Sequence, residues 1–259
     1  MIEVWRGGAN RNMGPGPFGR PAQFGLDPAK PGNELSIYLF HAFLNTLVGR
    51  AIGFSMSQYF EVHPTHPQKR LLSRAAQILR EGGLVVYPTD TAYALGCHIG
   101  DKKAIDRVES LRRLDKNHML TLACRDLSEL STYARVDNTQ FRILKHYTPG
   151  PFTFVLTASR ETPRRLVHDK RKTIGIRVPD HAIVRGLLEE LGEPIMTTTM
   201  RLPEQETPAT DPQDLRDLLE HRVDLIIDGG HGGLESTTLV DLTQDIPVIL
   251  RQGAGIFAI

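Results

Sequence analysis

Short hydroxyl and charged side chains follow an apolar run directly in the stretch GGLVVYPTDTAYALGC, residues 82–97. The run Leu84–Tyr87 has the composition of a buried strand, and Thr89, Asp90 and Thr91 come after it behind a proline. Loops that hold a ligand against a rigid sheet often carry such residues at a strand end. Loops that only reverse the chain look similar. This stretch therefore indicates a site without defining its chemistry.

Similar groups of hydroxyl side chains recur at other expected strand ends. They are TPGPFT at 148–153, Thr197–Thr199 and Ser236–Thr238. Arg177 lies in the strand pattern TIGIRVP, on the face opposite Ile174 and Ile176, and Arg251 follows the last apolar run. Any single threonine reflects strand propensity. Four clusters with two arginines instead predict one cleft lined by donors and positive charge, which would grip a carboxylate or phosphate. It would act by positioning and charge neutralisation.

Other chemical motifs give weaker signals. The chain has no Walker A sequence, no GxGxxG after a strand, no HExxH and no GxSxG. The run Gly229–Gly233 could form an anion-binding nest of backbone amides, although a flexible turn is the commoner structure for such a run. We interpret His63 and His66 as solvated loop residues rather than metal ligands. Cys97 and Cys124 lack CxxC spacing, so we expect small core residues and no disulfide or zinc site.

The overall composition is that of an ordinary globular protein. The 259 residues are 40% hydrophobic and 24% charged, with a net charge of +1. Bulk charge therefore does not indicate a nucleic-acid binder, although a local basic patch is compatible with it. The cysteine usage favours a reducing, cytoplasmic compartment.

The first part of the chain differs from the rest. Residues 1–33 are rich in Gly and Pro and lack apolar periodicity, which predicts disorder. Residues 34–56 are apolar but interrupted by polar side chains, so a membrane or targeting segment is the less favoured alternative. Met56 opens MSQYFEVHPTHPQKR, which reads like a natural protein start. We expect residues 1–55 to be a disordered or non-native extension and residues 56–259 to form the folded domain.

The apolar periodicity from Met56 onward predicts alternating strands and helices. Helices are predicted over Gln68–Arg80, Asp101–Leu114, Asp126–Tyr133, Thr139–His146, Ala182–Leu191 and Pro212–His221. Strands are predicted over 57–63, Leu84–Tyr87, Thr121–Cys124, Phe152–Thr157, Thr173–Val178, Ile195–Thr199, Leu225–Ile227, Thr238–Leu242 and Val248–Leu250. Asp101 is a plausible helix cap and Gly192 a helix stop. Several consecutive strands near the end favour an α/β fold with a mixed, twisted sheet.

Five stretches of the chain resemble motifs of the YrdC/Sua5 family, the threonylcarbamoyl-AMP synthases. YPTDTAYALG is similar to YPTETVYGLG, TPGPFTFVL to WPGPxTxVL, and TIGIRVPDHAI to VGVRxPDHPx; TTLVDLT and VILRQGAG are similar to STVVDLT and xxLRxG. The likeness covers nearly all of residues 60–252. KRLLSRAAQIL, CRDLSELSTY and KRKTIGIRVP look most similar to the YciO branch, whose start coincides with Met56.

The resemblance implies a YrdC-like twisted mixed sheet flanked by helices, with a concave, positively charged cleft. It implies that L-threonine, bicarbonate and ATP are joined into threonylcarbamoyl-AMP with release of diphosphate, for t6A modification of tRNA. The threonine carbamate would attack the α-phosphate, where lysine, arginine and Mg²⁺ stabilise the developing charge. The family also implies binding of double-stranded RNA or tRNA.

The resemblance assigns roles residue by residue. The threonine-binding set would be Thr91, Arg177, Thr199, Ser236 and Thr237, with Arg177 on the substrate carboxylate. One extra residue leaves the choice between Ser236 and Thr237 open. The nucleotide would lie along Arg112, Thr173, Thr197, Arg201 and Arg251, with Arg112 as the catalytic cation. Mg²⁺ would come with the nucleotide, and no separate metal site is expected.

Two family motifs are altered in this chain. The family has Lys-x-Arg where this sequence has Arg112-Arg113-Leu114, and Ser-x-Asn where it has Thr199-Met200-Arg201. Arg112 keeps the charge with a different geometry, Leu114 removes a cation, and Arg201 adds one. Loss of a phosphate-facing cation would cost about 2 to 4 kcal/mol of transition-state stabilisation.

Three functions are therefore compatible with the sequence. The first is a threonylcarbamoyl-AMP synthase with reduced or altered activity. The second is an RNA-binding relative without synthase activity, in which phosphates would meet a basic segment with salt-dependent affinity. That segment contains Arg164, Arg165, Lys170, Arg171 and Lys172, and its alternative is a solvated loop. The third is another ATP-using or phosphate-ester reaction in the same cleft.

Overall fold

The computed structural model describes residues 56–258 except 116, 117, 119 and 169, and the predicted extension at residues 1–55 lies outside the described residues. The strands of the described part are β1 Gln58–Glu61, β2 Val85–Tyr87, β3 Ala94–His98, β4 Thr121–Ala123, β5 Ala134–Arg135, β6 Phe152–Ala158, β7 Thr173–Arg177, β8 Ile195–Thr199, β9 Leu225–Asp228, β10 Thr238–Asp241 and β11 Val248–Arg251. The helices are α1 Lys69–Arg80, α2 Lys102–Arg112, α3 Leu127–Tyr133, α4 Asn138–Tyr147, α5 Ala182–Leu191 and α6 Pro212–Leu219, with a short 3₁₀ turn at Arg164–Leu166.

All eleven described strands belong to one mixed sheet, as the sequence predicted. Their order is β1-β9-β2-β3-β8-β4-β7-β6-β10-β11, and β5 pairs with β6. The pairs β1/β9, β2/β9, β4/β7 and β6/β10 are parallel, whereas β2/β3, β3/β8, β4/β8, β5/β6, β6/β7 and β10/β11 are antiparallel. The strand ends that carry hydroxyls and arginines therefore come from distant parts of the chain into one sheet.

Local signals in the sequence set most helix ends. The Asp101 carboxylate accepts from the backbone N–H groups of Lys103 and Ala104, which confirms the predicted cap of α2. Asp137 and Gln140 form a capping box at the start of α4. Gly192 ends α5 at a φ of 77°, a left-handed conformation that glycine adopts without steric cost.

Helices cover both faces of the sheet. Leu95, Leu122, Ile176 and Met196 point to one face, in an apolar cluster shared with α2, α3, α4 and α6. On the other face, α1 and α5 pack with apolar residues of β2 and β9. The part of that second face above β8, β4, β7 and β6 instead carries threonines, a glycine and Arg177, and it forms the candidate site. None of the described helices combines the length and apolar character needed to cross a membrane.

Two strands were not predicted from the sequence. β5 is only two residues long, and β3 reads ALGCH without apolar alternation. A small residue is required within β3, since a Cβ on Gly96 would lie 2.5 Å from Ile195 Cγ2 and 2.9 Å from Tyr87 Cε1. Tight packing between neighbouring strands thus removed the side-chain pattern that identifies a strand.

Candidate functional site

A cavity of about 640 Å³ opens above the polar face of the central strands. Below it, Gly96, Thr197, Thr121 and Gly175 are register partners in a row across β3, β8, β4 and β7. Of this row, Thr197 and Thr121 line the cavity. A Cβ on Gly175 would lie 3.0 Å from Thr121 Oγ1, so the glycine keeps the floor low between two threonines. The row provides hydroxyls at a depth that an amino acid or a nucleotide can reach.

Three arginines line this cavity without a carboxylate partner. They are Arg112 at the end of α2, Arg201 after β8 and Arg251 at the end of β11. None of the three forms an ion pair with a carboxylate of the described residues. Burial and then the charge of Arg201 lower the pKa of Arg112 to about 10, and the same causes lower the pKa of Arg251. We call these three residues the arginine cluster; its unpaired charge favours a polyanion such as phosphate.

Two further observations fit an anion at the arginine cluster. The Nε of Arg112 is buried and has no hydrogen-bond partner among the described residues. His118 also lines the cavity, and desolvation followed by the charges of Arg112 and Arg251 lowers its pKa. A buried donor without an acceptor is costly, and a phosphate oxygen would relieve that cost.

The wall next to the arginine cluster is held by hydrogen bonds. Arg251 Nη2 donates to the carbonyl oxygen of Thr237 at 2.9 Å, and the Thr237 hydroxyl lies 2.7 Å from that of Thr153. A Cβ on Gly253 would lie 2.2 Å from the carbonyl oxygen of Ser236, so only glycine allows this close approach. The loop with Ser236 and Thr237 is thereby fixed against β6.

Arg177 also lines the cavity but has a different electrostatic environment. Its Nη2 donates to the Asp90 carboxylate, and the two side chains are only 8% and 10% exposed. The other Asp90 oxygen accepts from the backbone N–H of Asp180 at 3.2 Å. The Nε of Arg177 is buried without a partner among the described residues. Asp90 therefore neutralises the charge of Arg177, whose Nε–H remains an unpaired hydrogen-bond donor.

Most of the predicted site residues lie around this one cavity. The members that line it are Arg112, Arg177, Thr197, Thr199, Arg201, Ser236, Thr237 and Arg251. Thr91 and Thr173 are not part of the lining. The Thr91 hydroxyl lies 3.1 Å from that of Thr89, in the buried loop after β2. Thr173 lies at the far end of β7, opposite Thr157. The roles assigned by resemblance stay predictions for all ten residues.

The glycine run Gly229–Gly233 does not present a free amide nest. The N–H groups of Gly229, Gly230, Gly232 and Gly233 donate to Tyr93 Oη, Asp228 Oδ1, Thr210 O and Thr91 O, respectively. A Cβ on Gly232 would lie 2.6 Å from the Tyr93 ring. The glycines therefore allow close packing. Of the two alternatives that the sequence left open, this run is a turn and not an anion-binding nest.

The remaining predicted features have the following positions. His63 and His66 are exposed, and the Nδ1 of His63 accepts from the backbone N–H of His66 at 3.2 Å. Within the described residues, no group of three His, Cys, Asp or Glu side chains could hold a metal ion. Cys97 and Cys124 are buried and free, which confirms the prediction of small core residues. In the basic segment, Arg165 is engaged by Asp106 and Glu109, whereas Lys170, Arg171 and Lys172 are exposed.

The altered motif positions differ in where they lie. Leu114 packs against the apolar core and does not line the cavity, whereas Arg201 does. A cation thus reaches the cavity from the segment after β8 rather than from the segment after α2. This geometry is consistent with Arg201 replacing the positive charge that is missing at Leu114.

Three residues near the cavity were not predicted from the sequence. Asp90 pairs with Arg177 across 87 positions of sequence, and His118 and Glu206 line the cavity. No specific signal in the sequence indicated the Asp90 pairing, because aspartate after a proline is also common in plain turns. Neither His118 nor Glu206 stands in a pattern that distinguishes it from a solvated loop residue.

Comparison with known proteins places these residues in a family. The model of the Sua5/YciO/YrdC family, described as "Telomere recombination", matches residues 77–253. A protein of Haemophilus influenzae is 58% identical over 201 residues, which are 77% of this chain and 97% of that protein. YciO of Escherichia coli is 54% identical over 200 residues. Its crystal structure covers 78% of this chain and 98% of its own, with a TM-score of 0.75.

A more distant relative has a named activity. Threonylcarbamoyl-AMP synthase of Pyrococcus abyssi is 32% identical over 182 residues, and the match spans 53% of that longer protein. The crystal structure of P. abyssi Sua5 complexed with L-threonine matches with a TM-score of 0.70 at 28% identity, over 76% of this chain and 58% of that one. The matched family model, the high identity to YciO of Escherichia coli and the shared fold lead to one conclusion: the chain belongs to the Sua5/YciO/YrdC family.

Proposed function

We propose that the chain is an ATP-dependent L-threonylcarbamoyladenylate synthase-like enzyme of tRNA t6A modification. It joins L-threonine, bicarbonate and ATP into threonylcarbamoyl-AMP and releases water, from the condensation of the amine with bicarbonate, and diphosphate. We further propose that its altered cation set makes it slower than proteins with the Lys-x-Arg and Ser-x-Asn motifs. The observation that carries the proposal is a single cavity in which Arg177 and the arginine cluster lie on a shared threonine-rich floor.

The amino-acid end of the proposed site lies around Arg177. Its unpaired Nε can donate to a substrate carboxylate, while the hydroxyls of Thr199, Ser236 and Thr237 line the same cavity. Hydroxyls both donate and accept, so they suit the amine and hydroxyl of threonine. The P. abyssi Sua5 structure complexed with L-threonine supports an amino-acid ligand in this fold.

The phosphate end would be the arginine cluster. The carbamate oxygen forms a bond to the α-phosphorus, and the bond from that phosphorus to the diphosphate oxygen breaks. Negative charge on the phosphoryl oxygens is stabilised by guanidinium groups already present in the cavity, at little reorganisation cost. Mg²⁺ would be bound by phosphate oxygens and water, which are the ligands it prefers with nucleotides.

The direct test is diphosphate release from ATP, Mg²⁺ and bicarbonate, measured with and without L-threonine. We expect release that depends on threonine and falls at least about tenfold in Arg251→Gln, because a charge-assisted contact to phosphate is lost. Arg185→Gln is a matched control, since Arg185 does not line the cavity. Release that is absent, or equal with and without threonine, would exclude the synthase.

A second function is supported by the basic segment. Lys170, Arg171 and Lys172 are exposed and close together in sequence, as expected for contact with the phosphates of double-stranded RNA or tRNA. In that case the chain binds RNA without synthase activity. Binding should weaken as salt rises, and charge-neutral substitutions at these three positions should flatten the salt dependence. Salt-independent RNA binding would contradict this alternative.

A further inference from the structure

The arginines that line the cavity differ in how their charges are compensated. Arg177 is paired with Asp90, and both side chains are about nine-tenths buried. The Asp180 backbone N–H donates to the same carboxylate. Burial lowers the pKa of His181, the residue after Asp180. The Arg177–Asp90 ion pair itself carries no net charge.

The charge of the arginine cluster is not compensated. Arg112, Arg201 and Arg251 have no ion-pair partner among the described carboxylates. The three arginines line the same cavity, and the charge of Arg201 lowers the pKa values of Arg112 and Arg251. Glu206 also lines the cavity, but its one negative charge does not balance the three positive charges. One cavity thus contains a neutral arginine pair and a cationic arginine cluster.

We propose that Asp90 is a specificity-determining residue that cancels the charge of Arg177, so that the part of the cavity around Arg177 admits a zwitterionic amino acid and excludes phosphate. The amino-acid part of the inference rests on the proposed function. A zwitterion brings no net charge, and its carboxylate can accept from the free Nε of Arg177. A phosphate carries up to two negative charges and would lie next to the buried Asp90 carboxylate, which is repulsive. Asp90 thereby fixes the direction in which a ligand with both groups lies in the cavity.

The first experiment uses the unmodified protein. The dissociation constant of L-threonine is measured by calorimetry at increasing inorganic phosphate, with sodium chloride at equal ionic strength as the control. Phosphate should leave the dissociation constant of L-threonine within about twofold of the chloride control, because threonine binds at Arg177 and phosphate at the arginine cluster. Competition between phosphate and threonine would overturn the proposal without any variant.

The second experiment removes the compensating charge. Asp90→Asn keeps the size and an acceptor for Arg177, whereas Asp90→Glu keeps the charge. In Asp90→Asn, phosphate should compete with threonine and raise its apparent dissociation constant about tenfold at a phosphate concentration ~10 times its inhibition constant. Asp90→Glu, which keeps the negative charge, should not gain this phosphate competition. If Asp90→Asn does not fold, Asp90→Ser carries the same test.

Phosphate binding on its own separates failure of this proposal from failure of the proposed function. Phosphate-induced thermal stabilisation should be larger in Asp90→Asn than in the unmodified protein. It should return to the original value in the double variant Asp90→Asn/Arg177→Met, which lacks the uncompensated cation. A protein that does not bind threonine but shows these phosphate effects would refute the threonine site and support the role of Asp90. If Asp90→Asn gains no phosphate binding, the pair is only structural and the proposal is wrong.

Discussion

Replacing Arg201 with asparagine should change stability and phosphate binding in opposite directions. Arg201 is exposed, and after burial its charge is the cause that lowers the pKa values of Arg112 and Arg251. Neighbouring like charges oppose folding. Removing the Arg201 charge should therefore raise the free energy of unfolding of the ligand-free protein by a few tenths of a kcal/mol, about the size of an exposed charge interaction. The pKa of Arg112 should rise from about 10 toward its ordinary value.

The same substitution should weaken binding of a polyphosphate. A hydrogen bond from a guanidinium group to phosphate contributes about 1.5 to 3 kcal/mol, which corresponds to roughly 10- to 100-fold in the dissociation constant. Calorimetric titration with diphosphate and with ATP measures this effect, and denaturant unfolding measures the stability. Arg222→Asn is the matched control, because Arg222 is exposed and lies outside the cavity lining. If Arg201→Asn weakens diphosphate binding no more than Arg222→Asn does, the arginine cluster is not a phosphate site.

Three further substitutions test the framework of the site. Gly253→Ala places a Cβ 2.2 Å from a carbonyl oxygen, so denaturant unfolding should show a loss of about 1 to 3 kcal/mol; an unchanged midpoint contradicts the close approach. Tyr87→Phe removes the 2.8 Å hydrogen bond to the Thr197 hydroxyl and should cost about 1 kcal/mol in the same assay. Burial lowers the pKa of His181 below its ordinary 6.5, so the unfolded chain binds that proton more tightly and stability falls as pH drops below about 6.5. His181→Ser should make this decline shallower, and an equal slope in both proteins would refute the assignment.

The sequence predicted the elements whose local signals are strong. Strict alternation in TIGIR placed Arg177 on the face opposite Ile174 and Ile176, and these isoleucines are indeed in the apolar core on the other side of the sheet. Asp101 and Gly192 marked helix ends because side-chain capping and a left-handed residue are local effects. Such features depend on neighbours in sequence, so one sequence is enough to identify them.

What the sequence did not predict depends on partners distant in sequence. The pairing of Asp90 with Arg177 arises only in the folded chain, because β3, β8 and β4 lie between β2 and β7 and the loop after β2 must bring Asp90 to the end of β7. β3 was missed because neighbouring strands require small side chains at Gly96, which erases the alternation. The Thr91 hydroxyl bonds to that of Thr89 within its own loop, as hydroxyl side chains in turns often do, and its role in the site stays a prediction.

The central claim is that one cavity binds an amino acid at Arg177 and a nucleotide phosphate at the arginine cluster. The most direct measurement is a crystal structure of the full chain with L-threonine and a non-hydrolysable ATP analogue. We predict the threonine carboxylate within hydrogen-bond distance of Arg177, and the triphosphate against Arg112, Arg201 and Arg251. Ligands bound outside this cavity, or a triphosphate on Arg177, would contradict the account.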